Sequence, residues 1–309
     1  MILLDFSQVC YAVILTESQR TGINEDSKGM IKHIVLNIIR KYNSSFKEYG
    51  DLVVCCDAKT SWRRDYFPHY KGNRKKNRDE QTDIDWSFLF ELLQEIKSDI
   101  KINFPIKVIT EPGYEADDLI ASFSINSNEK NLIVSSDKDF YQLKKWANID
   151  QWHPLKNVLV SADNLDDHIM MHIIKGDNGD GIPPMYCKKN HYMNETTGRA
   201  PSFTKIRKSE AEEYWNPYTL EFDDDFWTAY DEGKVWANIK KSSGMDAIEL
   251  KERFEQNRKL ILLNNIPDEN GVLANKLDQT GINGDFDTVF DYLAENNMKV
   301  LMDSVEDFL

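Results

Sequence analysis

Short, unbroken apolar runs alternate with longer stretches of helical spacing through the first half of the chain. Ile2-Leu3-Leu4 reads as a buried strand, and residues 28–47 follow with Ile31, Ile34, Val35, Ile38 and Ile39 on one helical face. Residues 52–56 (Leu-Val-Val-Cys-Cys) form a second apolar run. Residues 86–100 place Phe88, Leu89, Leu92, Leu93 and Ile96 at helical spacing. Residues 106–109 predict a third strand, 115–125 a third helix and 132–134 a fourth strand. Strands that are apolar throughout, separated by helices, predict an α/β fold. Its mostly parallel central sheet is flanked by helices on both faces.

After about residue 160 the strand-like runs give way to helical spacing. Helices are expected over 163–174, with Asp163 as N-cap, and over 210–215, 226–238, 247–263 and 286–296. The expected organisation is an α/β domain over 1–160 and a helical C-terminal domain over 161–309.

Composition adds limits. A chain of 309 residues has room for one large domain or two ordinary ones. No run is long and apolar enough for a membrane helix. Met1-Ile2-Leu3-Leu4-Asp5 has no basic lead, so no signal peptide is expected. Cys10, Cys55, Cys56 and Cys187 show no C-x-x-C spacing, which fits reduced thiols in a cytoplasmic protein.

The formal net charge of −14 argues at first against a polyanionic partner. The distribution argues otherwise. Residues 62–78 carry seven Lys or Arg against the single acid Asp65, and 188–208 are basic apart from Glu195. Two basic islands in an acidic chain suit a charged path for nucleic acid, or are simply solvated faces.

The acids are the informative residues. Asp5 closes the first apolar run and Asp57 the second. Asp137 follows the fourth, with Asp139 two residues on, and Glu115, Asp117 and Asp118 open the helix after the third. In an open parallel sheet, ligands gather outside the carboxyl ends of the strands. So many carboxylates at one edge must raise one another's pKa or hold cations. Magnesium suits all-oxygen ligands and substrate phosphates, and manganese is an alternative. Two ions would serve phosphodiester hydrolysis. Taken singly, each Asp is equally a turn former or helix cap. Asp177 and Asp180, set among Gly176, Gly179 and Gly181, could face one ligand across a turn or belong to a surface loop.

These residues also carry a family resemblance. The order is Asp5, Asp57, Tyr70-Lys71-Gly72-Asn73-Arg74, Glu115-Ala116-Asp117-Asp118, Ser136-Asp137-Lys138-Asp139-Phe140, then Gly176-Asp177 and Asp180-Gly181-Ile182-Pro183. Over roughly residues 2–184 it resembles the 5′-3′ exonuclease and flap-endonuclease family, whose fold is of the 5′-nuclease or PIN-like kind. Trp62-Arg63-Arg64-Asp65, Gln151-Trp152-His153-Pro154 and Arg258-Lys259-Leu260-Ile261-Leu262-Leu263 are similar to its T-even-phage RNase H branch.

The resemblance implies a first metal among Asp5, Asp57, Glu115, Asp117, Asp118 and Asp137, and a second among Asp139, Asp177 and Asp180. Lys71 and Arg74 would stand at the base of a helical arch and steady the scissile phosphate. Tyr70 would stack on a base, or is an ordinary packing residue, and Arg63, Arg64 and Lys75 would add to the basic path. Lys188, Lys189, Lys205, Arg207 and Lys208 would grip duplex phosphates. The chain departs from the family where a helix-three-turn-helix should continue past Pro183. It runs on as Pro184-Met185-Tyr186-Cys187, with an insertion to about Thr204, which puts the family's potassium site in doubt.

The resemblance further implies a monomeric, magnesium-dependent nuclease acting on RNA–DNA hybrids and on duplex DNA with a 5′ end or flap. It would remove primers in phage replication, in the host cytoplasm, alongside a single-stranded-DNA-binding protein. The tail Ser304-Val305-Glu306-Asp307-Phe308-Leu309 is similar to segments that dock on sliding clamps, or is a fraying terminus. His168 and His172, four apart, read as packing or surface residues. Two rivals stand. A phosphoryl-transfer protein needs fewer acids. A non-catalytic binder of branched nucleic acid, or a replication scaffold, gains nothing from massed anions.

Overall fold

The computed structural model describes residues 1–21, 23–74, 84–161, 163–189, 191–193, 208–268 and 271–309. The chain divides into two compact units. The first comprises residues 1–61, 81–161 and 266–309, and the second 62–80 and 162–265.

In the first unit, β1 (Ile2–Asp5), β2 (Leu52–Cys55), β3 (Lys107–Ile109), β4 (Asn131–Val134), β5 (Ile149–His153) and β6 (Val158–Leu159) form one sheet in the order β3-β2-β1-β4-β5-β6. The pairs from β3 across to β5 are parallel, and β6 alone turns back antiparallel. The mostly parallel sheet expected from the apolar runs is present. β1, β2 and β4 are buried at every position, as strands covered on both faces must be.

Helices α1 (Phe6–Thr21), α2 (Lys28–Ser45), α4 (Trp86–Asn103) and α5 (Ala116–Asn126) connect the strands. Ile31, Val35, Leu36 and Ile39 of α2 meet Leu89, Leu92, Leu93 and Ile96 of α4 in one core with the sheet. Pattern reading missed α1, because residues 9–15 are apolar without interruption and hide the helical period. It also missed β5, β6 and α11 (Val272–Gln279).

The last part of the chain also belongs to this unit. α12 (Phe286–Glu295), α13 (Lys299–Met302) and a 3₁₀ turn over Val305–Phe308 pack on the same core through Val289, Leu293, Leu301, Val305 and Phe308. The tail, which reads as either a clamp-docking segment or a fraying terminus, is therefore folded. Phe308 is 1% exposed and meets Phe104 edge-on at 5.1 Å, while Arg40 pairs with Asp307. Burying an aromatic outweighs the entropy of fraying.

The second unit holds α3 (Trp62–Tyr66), α6 (Leu165–Lys175), α7 (Lys208–Glu212), α8 (Asp224–Asp231), α9 (Ala237–Ser243) and α10 (Ala247–Ile261), with a small hairpin of β7 (Trp215–Asn216) and β8 (Glu221–Phe222). Its core centres on Phe222, Phe226, Trp236 and Phe254, with the Phe222 and Phe226 rings stacked at 4.0 Å. The single helix expected over 226–238 is broken in two. Gly233 and Trp236 take positive φ of 71° and 48°, ending one helix and starting the next. The cap of α6 is Asn164, in the left-handed region, rather than Asp163. After Pro183 the chain makes a buried turn. Met185, Tyr186 and Cys187 enter the core, and the Asn257 side-chain amide donates to Pro183 O at 2.9 Å.

Candidate metal centre and basic loop

Strand order decides where the carboxylates meet. β1 lies between β2 and β4, so the chain's connections leave in opposite directions on its two sides, and the carboxyl ends of β1 and β4 flank a topological switch point. Asp5 ends β1, and Asp137 caps the 3₁₀ segment Lys138–Lys145 that follows β4. Ser135 ties the two together: its Oγ donates to Asp5 Oδ2 at 3.0 Å and accepts from the Asp137 amide at 3.1 Å. The Gln8 amide donates to Asp5 Oδ1 at 3.2 Å. Gln151 braces the loop from β5, donating to the carbonyls of Ser135 and Asp137 at 3.0 and 2.7 Å. Asp137 Oδ1 accepts from the Asp139 amide at 2.9 Å.

Asp57 lies two residues past β2 and is exposed, and its Oδ1 accepts from the Ala116 amide at 3.0 Å. That bond sets Asp57 against the N-terminus of α5, where Glu115, Asp117 and Asp118 sit. Glu115 and Asp118 form a reciprocal capping box, with the Glu115 amide donating to Asp118 Oδ2 at 2.9 Å. Asp118 is wholly buried and so has a structural duty of its own.

Asp5 registers this crowding. Burial pushes its carboxyl up from 3.8 to about 7, and the negative charges of Asp57 and Asp137 push the same way, against the bonds from Gln8 and Ser135. Three carboxylates from three strand ends thus share one electrostatic neighbourhood. An all-oxygen, anionic set of this kind fits a hard divalent cation, which would remove the mutual repulsion.

The second unit carries the other expected residues. Gly176 follows α6 at φ 64°, and a Cβ there would lie 2.3 Å from Ile182 O, so the loop 177–181 can close only on glycine. Gly181, at φ 70°, lets the same loop approach His69 O. Asp180 is the hub. Its Oδ2 accepts from the Tyr70 hydroxyl at 2.8 Å and lies 3.9 Å from Lys71 Nζ, and its Oδ1 pairs with Arg74. Lys71 takes a left-handed φ of 54°, held by its amide donating to Asp180 O at 2.7 Å. Asp177 meets His172, whose Nε2 lies 3.2 Å from Oδ2. Sequence reading set His172 aside. Only its place in the last turn of α6, five residues before Asp177, hinted at the pairing.

Three expectations change. Tyr70 is 2% exposed and packs with Phe67, Ile182, Leu260 and Ile261, so its ring offers no face to a base. Arg63 is equally buried and donates from Nε to Leu260 O at 3.0 Å, bracing α10 rather than meeting phosphate. Lys208 is taken up by Asp167 and Glu212, which raise its pKa. Arg64, Lys188 and Lys189 are exposed, as phosphate contacts require. Lys75, Lys205 and Arg207 lie outside the described residues.

The sequence profile described as "5′-3′ exonuclease, N-terminal resolvase-like domain" matches residues 1–169. This chain is a member of the 5′-3′ exonuclease family. As a family member it is 34% identical over 212 residues to the ribonuclease H of Enterobacteria phage T4, spanning 65% of this chain and 68% of the relative. It is 32% identical over 166 residues to a 5′-3′ exonuclease of Buchnera aphidicola, covering 50% of this chain and 53% of the relative. A variant of the phage T5 flap endonuclease, solved with DNA and metal ions, superposes with a TM-score of 0.61 at 17% identity, over 90% of this exonuclease-family chain and 95% of the other. At that identity the likeness speaks for the fold. Among the described residues, no helix of the family member is long and apolar enough to cross a membrane.

Proposed function

We propose that this chain hydrolyses phosphodiesters near the 5′ end of one strand, in RNA–DNA hybrids and in duplex DNA with a 5′ end or flap. Its role would be primer removal in phage replication, in the host cytoplasm. The observation that carries this reading is the meeting of Asp5, Asp57 and Asp137 at the switch point, with Asp5 driven upward by burial and then by the charges of those neighbours. Asp5, Asp57, Glu115, Asp117, Asp118 and Asp137 would hold a first magnesium ion, and Asp139, Asp177 and Asp180 a second. Bound there, the ions supply charge neutralisation and polarise the scissile phosphate.

The chain's own groups do the rest. Ser135, Gln8 and Gln151 fix the carboxylates before substrate arrives, so no reorganisation is needed during reaction. Arg74 and Lys71 are cations restrained against Asp180. One Asp180 oxygen cannot serve both Arg74 and a cation well. We assign Arg74 an exchange, from Asp180 to a substrate phosphate, which frees that carboxylate for the metal. The first unit, with the sheet and its strand-end carboxylates, would be catalytic, and the second would hold duplex through Lys188 and Lys189. The contacts are to phosphate, so shape and ends are read rather than sequence. A single-stranded-DNA-binding protein is the partner retained; a clamp tether through the buried tail is not.

The test uses 5′-labelled RNA–DNA hybrid and flapped DNA, with magnesium or chelator, on the wild type and on Asp137→Asn. We expect the variant to bind normally and to cut at least ~100-fold more slowly. Full activity in chelator, or in the variant, overturns the assignment. Tight binding without cleavage by the wild type would make the chain a binder of branched nucleic acid.

A further inference from the structure

Beside Asp57, α1 and α4 leave an open hollow of about 450 Å³ lined by Phe6, Tyr11, Cys56, Phe90 and Lys97 among others. A second hollow, of about 650 Å³, runs along the edge strand β3 between α4 and α11, with Lys97, Lys101, Lys276, Thr280 and Asn283 on its walls. Both are lined by Gln94, Lys97 and Thr110, so they form one trough leading from Asp57 along β3.

The two ends differ in chemistry. The end at Asp57 is aromatic: Tyr11 and Phe90 stand edge-to-face at 6.3 Å, and Phe90 is 37% exposed. The far end is cationic and amide-rich. Among the described residues Lys97 and Lys101 have no carboxylate partner, in a chain whose net charge is −14. Lys97 is half-buried and lines the same hollow as Cys56 and Asp57. Lys276 is held at the rim by Glu111 at 2.6 Å.

We propose that this trough seats an unpaired nucleic-acid strand, with bases against Tyr11 and Phe90 and phosphates on Lys97 and Lys101. A positively charged groove combined with aromatic faces is how single strands are bound without regard to sequence. Hollows of this size admit nucleotides in file, not a duplex. The inference deepens the nuclease reading and rests on it for what the strand is: the single-stranded arm of the substrate, carried away from the carboxylates along β3.

Fluorescence anisotropy of labelled oligothymidylate and of blunt duplex DNA, titrated with the full chain in chelator across a range of salt, tests it. For Lys97→Ala/Lys101→Ala we expect about tenfold weaker oligothymidylate binding. The slope of log affinity against log salt should be shallower by about 1.4, the value for two lost phosphate contacts on a single strand. Phe90→Ala should weaken the same ligand about tenfold with the slope unchanged. Blunt-duplex affinity and melting temperature should stay at wild-type values for the lysine variant. Unaltered slope, equal loss on blunt duplex, or no oligothymidylate binding by the wild type overturns the trough. Because binding is read in chelator, the two ideas fail separately. A changed slope in a chain that never cleaves removes the nuclease reading. Magnesium-dependent cleavage with an unchanged slope removes the trough.

Discussion

Asp5 carries the sharpest consequence at the scale of single residues. Its carboxyl is raised from 3.8 to about 7, so its ionisation opposes folding. The sign follows from linkage: the native state holds the proton more tightly, and that contribution is full below about pH 4 and lost as pH rises through about 7. Without metal, stability should therefore fall across this window. Magnesium should raise the melting temperature more at pH 8 than at pH 5, and Asp5→Asn should remove most of that difference. An equal magnesium shift at both pH values would contradict it. Tyr70 offers a second test. As a buried ring, its replacement in Tyr70→Ala should cost roughly 3–5 kcal/mol in urea unfolding. A stacking residue on the surface would change binding and leave stability alone.

At the scale of elements, the loop after α6 and the C-terminal turn decide more than their length suggests. Gly176 sits where any Cβ would strike the backbone of Ile182 and Pro183. Gly176→Ala should destabilise by more than about 1 kcal/mol, displacing Asp177 and Asp180 together, and with them metal-dependent cleavage. Phe308→Ala should likewise cost roughly 3–5 kcal/mol, because the ring is enclosed beside Phe104. A melting temperature unchanged by that substitution would return the tail to the role of a tether. Helices with one apolar face, such as α2 and α4, were legible from spacing alone. α1 was not, because its apolar residues run without a break. Nor was the cap of α6, which local geometry gave to Asn164 rather than to the equally good N-cap former Asp163 beside it.

At the scale of the whole molecule, charge is divided between function and solubility. The chain is strongly acidic, yet the cations around Lys71 and Arg74 and the exposed Lys188 and Lys189 provide local attraction. Binding of hybrid duplex should thus weaken steeply with salt, log affinity falling by about 0.9 per log unit for each phosphate contacted. A flat salt response would leave the basic islands as solvated faces. The chain's path also matters at this scale. The first unit takes back residues 266–309 after the second is complete, so the sheet is covered by helices that a boundary near residue 160 would assign elsewhere. Sequence distance gives no sign of this return, since packing pairs residues by shape and burial rather than by order.

The amino-acid order alone was enough for the parallel sheet and for carboxylates at its strand ends. Both follow from local rules: apolar runs make covered strands, helical links make them parallel, and the residue after a strand must emerge at its carboxyl edge. Tertiary structure alone decided which charged and aromatic groups face outward. Arg63 and Tyr70 lie in a basic stretch that reads as a surface, yet each is enclosed by residues nearly two hundred positions later in α10. Burial depends on partners that only the folded chain brings near, and no local pattern encodes them.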